Sequence, residues 1–154
     1  MEKSISYDAM RVANLEPASK RKFFALANRK RGAALELLAR VIFRIDYGIN
    51  DFEKRAAFRT PHGVRFVDLY SPSNKLSIEV KAGRACSKKF TRKQIEKDNY
   101  ILENSQLVSK SIWICFQGAT ASLQSIINKT NIKYISFENI DLDPCNQNIK
   151  KLIE

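Results

Sequence analysis

Arg65-Phe66-Val67-Asp68-Leu69-Tyr70, then Ser71 to Lys75, then Leu76-Ser77-Ile78-Glu79-Val80-Lys81-Ala82-Gly83, is the stretch whose reading decides the fold. Two runs rich in Val, Ile, Phe and Tyr flank a Ser-Pro-Ser-Asn cluster that turns a chain but does not continue a strand, which predicts a β-hairpin. With Pro72 to Lys75 as a four-residue loop, Ser71 lies opposite Leu76, Leu69 opposite Ile78, Asp68 opposite Glu79 and Val67 opposite Val80. One face then carries Val67, Leu69, Ile78 and Val80, and the other Asp68, Glu79 and Lys81. A slip of one residue would bring Asp68 beside Ile78 on the apolar side, so burial itself selects this register.

Two carboxylates at cross-strand distance repel unless a positive charge sits between them, and hard divalent cations take oxygen ligands of this kind. A metal site at Asp68 and Glu79 is the functional expectation. A ribbon whose Asp, Glu and Lys merely face solvent is the structural alternative, since such faces are common on antiparallel sheets. Glu79-Val80-Lys81 is the single acid-x-Lys in the chain, and its place on the second strand of a hairpin distinguishes it from a chance occurrence.

Asp68, ten intervening residues, then Glu79-Val80-Lys81 resembles the PD-(D/E)xK nuclease superfamily, whose members carry acid, spacer and acid-x-Lys on a β-hairpin. Val67 stands where the superfamily usually has Pro. The longer pattern Arg65-Phe66-Val67-Asp68, Glu79-Val80-Lys81-Ala82-Gly83 and Gln94-Ile95-Glu96-Lys97-Asp98 is similar to restriction-endonuclease-like toxin domains at the C-termini of contact-dependent growth inhibition and other polymorphic toxin proteins. The resemblance covers about residues 32 to 117. It implies a restriction-endonuclease-like core and a Mg²⁺- or Mn²⁺-dependent endonuclease. Asp68, Glu79, the Val80 carbonyl and Glu36 of the first helix are the expected metal ligands, with Lys81 beside them. It further implies an RNA substrate, transfer RNA first, and, for a toxin, an immunity protein in the producing cell. A DNA endonuclease of the Holliday-junction-resolvase or restriction type uses the same chemistry, and an inactive nucleic-acid-binding module is the third reading. Glu36 also suits a plain i,i+4 ion pair with Arg40.

The 154 residues suffice for one domain, and the 44% hydrophobic and 28% charged content is that of a globular protein. A net charge of +11 favours polyanions, because each phosphate contact releases a condensed counterion; an inhibitor protein for such a surface is expected to be acidic. No stretch has the sustained apolar length of a membrane span. Cys86, Cys115 and Cys145 are far apart with no C-x-x-C pair, which indicates neither a disulfide framework nor a zinc site and suits a reducing cytoplasm. His62 is the only histidine, which excludes two-histidine ribonuclease chemistry. It follows Pro61 and precedes Gly63, in a turn. Met1 opens no secretory signal pattern; a toxin would reach its target-cell cytoplasm as part of a larger secreted protein.

Along the chain, residues 1–31 read as a basic N-terminal arm or helix and 32–154 as the nuclease domain. Gly32 to about Asp46 carries a wide apolar stripe of helical period. Asp51 to Arg59 is a strand or irregular connection. After Lys81, the residues Arg84, Lys88, Lys89, Arg92, Lys93 and Lys97 concentrate positive charge beside the expected site, as a phosphate track requires. Ser87 or Thr91 is expected to cap a helix reaching about Asn104, with Gln94 and Lys97 directed at the phosphate backbone. Lys110 to Phe116 reads as a buried central strand with Trp113 in the core, Ala121–Lys129 as a helix, Ile132–Phe137 as a final strand and Ile149–Ile153 as a short helix. The sum is an α/β fold, a mixed central sheet flanked by helices.

Overall fold

The computed structural model describes residues 28–136, so the basic arm up to Ala27, Cys145 and the helix expected over Ile149–Ile153 lie outside the described residues. Helix α1 (Asn28–Tyr47) leads into β1 (Glu53–Thr60), β2 (Gly63–Ser71) and β3 (Leu76–Lys81); α2 (Lys89–Asn104), β4 (Lys110–Cys115), α3 (Ala121–Asn128) and β5 (Lys133–Ser136) follow. The strands form one five-stranded mixed sheet in the order β1-β2-β3-β4-β5. The first two pairings are antiparallel and the last two parallel. Each parallel pairing is joined by a helix, as a parallel crossover demands.

Alternation along the strands splits the core in two. Ile78 of β3, Ile112 and Ile114 of β4 and Ile135 of β5 pack on Leu35, Leu38 and Phe43 of α1. On the other face Trp113 and Cys115 pack on Ile95 of α2 and on Leu123 and Ile127 of α3. Trp113 is fully buried, as its apolar surroundings in sequence lead one to expect. Thr120 caps α3 by accepting from the Leu123 N–H. Neither Ser87 nor Thr91 caps α2: Lys88 holds that position with no side-chain hydrogen bond. Among the described residues α1 already runs from Asn28, so Gly32, expected to open the helix, sits inside it.

The β2–β3 turn follows the expected register, with Ser71 opposite Leu76 and Leu69 opposite Ile78. Asp51 pins the turn, accepting from Ser71 Oγ at 2.6 Å and from the Ser73 N–H at 2.9 Å. The Ser71 bond comes first among the causes that hold Asp51 below the usual carboxylate range. The pairing of β2 with β3 ends at Leu69↔Ile78, whereas β1–β2 continues to Thr60↔Gly63. The far half of the β1–β2 hairpin therefore stands free of β3.

At the same level the pleat breaks. Lys54↔Leu69 and Ala56↔Val67 are paired, but Arg55 and Asp68 between them are not, and Arg55 has φ +56°. A residue in that left-handed conformation reverses the alternation of side chains. Across this gap Leu69 belongs to the α1 side of the core, while Val67 joins Tyr70, Phe58, Ile101 and Val108 on the other. Val67 is expected beside Leu69, and by the same parity Arg65, two residues before Val67, on that face away from Glu79; both depart from it at the gap in pairing between Arg55 and Asp68.

The β1–β2 turn needs glycine. Gly63 has φ +110°, and a Cβ there would meet Lys97 Nζ at 3.5 Å. Gly32 lies in ordinary helical backbone with open space around it. Gly63→Ala is expected to cost about 1–3 kcal/mol in urea unfolding, and Gly32→Ala to gain about 0.5–1 kcal/mol. Equal effects of the two substitutions would contradict this turn geometry.

Candidate active site

The site is built where β2 and β3 part. Asp68 fills the gap between them: its Oδ2 accepts from the Val80 N–H at 2.8 Å, replacing a backbone ladder bond with a carboxylate. Glu79, one residue earlier on β3, is buried on the α2 side of the sheet. Lys81 Nζ lies 3.1 Å from Glu79 Oε1 and donates to Gln94 Oε1 of α2 at 2.6 Å. Gln94 in turn donates to Glu79 Oε1 at 3.3 Å. Lys81 Nζ also sits 5.1 Å from the centre of the Trp113 ring. Helix α1 brings Glu36, half-buried, within hydrogen-bonding reach of Asp68.

Three carboxyl groups this close cannot all ionise cheaply. Burial, then the charge of Glu79, pushes Asp68 up to about 8, against the pull of its Val80 hydrogen bond. Burial likewise raises Glu36, opposed by its contact with Asp68. The Asp68 carboxyl is therefore held toward its protonated form. Among the described residues no group of three or more His, Cys, Asp or Glu stands in the geometry of an all-protein metal cage. The donors are nonetheless all oxygen, and a small hard cation is commonly held by one or two carboxylates together with waters and substrate phosphate.

Behind the carboxylates lies a charge network that simple parity did not expect. Arg65 is buried and donates to Glu79 Oε2 at 2.8 Å from Nη2, to Asp98 Oδ1 at 2.7 Å from Nε and to Asp98 Oδ2 at 3.1 Å from Nη2. Trp113 Nε1 donates to Asp98 Oδ2 at 2.8 Å. Burial lowers the Arg65 pKa, but the charges of Glu79 and then Asp98 outweigh it, so the guanidinium stays charged. Asp98 lies three residues after Ile95 and three before Ile101, on the buried stripe of α2. An acid on an apolar stripe needs a buried cation, and that was the signal available for this network.

The basic residues separate into groups. Gln94 and Lys97 line one cleft with Asp68, though the Lys97 amine donates to the Val64 carbonyl at 3.2 Å. Arg92 donates to the Ser87 carbonyl at 2.9 Å. Lys88, Lys89 and Lys93 are exposed around the start of α2. Arg84 lines a different cleft with Gln117, Gln124 and Ser136. The expected centre, Glu36, Asp68, Glu79 and Lys81, is thus brought together with Gln94, and the basic track is dispersed around it. His62 is exposed in its turn. No protein-family model matches the chain, nor does any curated protein or solved structure.

Asp68 binds its proton far more tightly folded than unfolded, so folding stability drains away as pH climbs from its ordinary 3.8 toward about 8. Asp68→Asn escapes that loss. Without divalent cations its thermal stability is expected to rise relative to the parent between about pH 5 and about pH 8, by about 1–3 kcal/mol; a pH-independent difference would contradict a raised Asp68. Arg65→Met strands two buried acids and is expected to cost about 3–5 kcal/mol in chemical unfolding. A loss below about 1 kcal/mol would mark Arg65 as an ordinary surface pair.

Proposed function

We propose that this chain is a divalent-cation-dependent endonuclease with a restriction-endonuclease-like core, cutting phosphodiester bonds in RNA, transfer RNA first. The observation that carries this reading is the packing of Glu36, Asp68 and Glu79 at the parting of β2 and β3, with Lys81 seated on Glu79. Carboxyl groups crowded until one of them, Asp68, is pushed toward its neutral form are what a cation site is like before its ion arrives. Helix, three antiparallel strands, and a helix leading to a parallel strand also agree with the nuclease resemblance of the hairpin motif.

Asp68, Glu79 and the Val80 carbonyl would hold Mg²⁺ or Mn²⁺, with Glu36 at its rim. When bound, such an ion polarises a phosphoryl oxygen and lowers the pKa of a coordinated water. Lys81, fixed between Glu79 and Gln94, orients the attacking water and offsets charge developing on the phosphate. Gln94 holds both Lys81 and Glu79 in place. Arg65 keeps Glu79 aligned from behind, since Oε2 is on Arg65 while Oε1 faces Lys81. The +11 chain draws in the polyanion. In this role the chain acts as a toxin domain in a target-cell cytoplasm, and an acidic immunity protein is its partner.

The full bonding of Glu79 by Arg65, Lys81 and Gln94 also suits a nucleic-acid-binding module without catalysis. Incubation with Mg²⁺ and either total transfer RNA or plasmid separates these readings. RNA cleavage that stops with a chelator and falls by about 100-fold or more in Glu79→Gln and Lys81→Ala is expected. Undiminished cutting by either variant, or cutting in chelator, would overturn the proposed centre.

A further inference from the structure

Large apolar side chains exposed on a soluble domain are individually unremarkable, but their grouping is informative. Five are exposed among the described residues: Ile45, Val64, Phe66, Phe90 and Leu107. Val64, Phe66 and Phe90 line one cleft of about 270 Å³, the cleft that also holds Asp68, Gln94 and Lys97. Phe66 is 52% exposed and Phe90 71%, so neither ring contributes much to the core.

Their positions tie them to the centre. Phe66 precedes Asp68 by two residues on β2, in the half of the hairpin that stands free of β3. Phe90 lies one helical turn before Gln94, on the same side of α2. The Arg55 guanidinium sits 5.9 Å from the centre of the Phe66 ring, a cation above an aromatic face. Arg55 is the residue whose left-handed backbone breaks the pleat beside Asp68. One irregular backbone position thus serves both the carboxylate and the ring.

Exposed aromatic rings beside positive charge bind nucleobases by stacking, without regard to base identity. A base inside a duplex has both faces covered by its neighbours, so a side-chain ring can stack only on a base that is unpaired or splayed out. We infer that Phe66 and Phe90 are stacking platforms for an unpaired base next to the phosphate cut at Asp68 and Glu79, so that the substrate is a single-stranded or looped segment. The inference rests on the nuclease reading for what happens to the phosphate, but the stacking itself does not require cutting.

The full chain is tested in two arms. In the first, Mg²⁺-dependent cleavage is followed on a single strand and on the same strand annealed to its complement. Parent protein is expected to prefer the single strand. Phe66→Leu and Phe90→Leu should each lower kcat/KM on it about 10-fold, while Phe66→Trp and Phe90→Trp retain it. Equal cutting of duplex and single strand, or undiminished cutting by the Leu variants, would overturn the inference and leave the nuclease intact. In the second arm, a single strand carrying 2-aminopurine is bound in chelator. Quenching of its fluorescence by the parent that is lost in the Phe66→Leu, Phe90→Leu double variant supports the platforms even where no cutting occurs. Unquenched fluorescence on the bound strand would overturn them.

Discussion

The Val80 N–H donating to the Asp68 carboxylate is the contact on which the rest depends. In an uninterrupted antiparallel sheet that N–H would pair with backbone, and β2 and β3 would run side by side to their ends. Here a side chain takes the backbone's place, the strands separate after Leu69↔Ile78, and the gap becomes a site. Glu79 and Lys81 stay fixed because β3 remains paired to β4 through Lys81↔Cys115. One wall is therefore the centre of the sheet, and the other a hairpin that leaves β3 and is held instead by α2.

Charge placement around that gap is uneven. Glu79 and Asp98 are bonded by Arg65 and Lys81, while Glu36 and Asp68 at the outer end make no ion pair among the described residues and Glu36 feels the charges of Lys54 and Arg55 only at a distance. Arg65 satisfies the deep end by bonding Asp98 and the inner oxygen of Glu79, with Trp113 closing the third side of Asp98. At the outer end burial, and then the charge of Glu79, holds the Asp68 carboxyl toward its protonated form. A buried ion network adds little net stability compared with an apolar core, but it holds geometry closely because each partner is costly to leave unpaired. Here it leaves Oε2 of Glu79 on Arg65 and turns Oε1 toward Lys81.

Much of this was legible in the sequence. Alternation placed Leu69 opposite Ile78 and gathered Asp68, Glu79 and Lys81, because hydrophobic burial fixes register wherever one face is covered. The apolar stripe of α1 and the continuous run around Trp113 identified the two layers. What escaped was set by single backbone angles or by tertiary partners. Nothing local announces the gap in pairing between Arg55, at φ +56°, and Asp68, the level at which Arg65 and Val67 depart from parity. Asp98 on the stripe of Ile95 and Ile101 was a readable sign of a buried pair, but its partner lies 33 residues away and only the fold identifies it. The exposed rings of Phe66 and Phe90 look like ordinary strand and helix residues until the cleft brings them together.

The cation proposed for Asp68 and Glu79 is tested most directly by its position. In a crystal of the parent protein soaked in Mn²⁺, anomalous scattering locates the ion independently of any assay. The expected result is a peak about 2.1–2.3 Å from an oxygen of Asp68 and from one of Glu79, with the Val80 carbonyl in the same shell and Glu79 still bonded to Arg65. Manganese bound elsewhere, with Asp68 and Glu79 bare at a concentration that saturates other sites, would contradict a metal centre at the parting of β2 and β3.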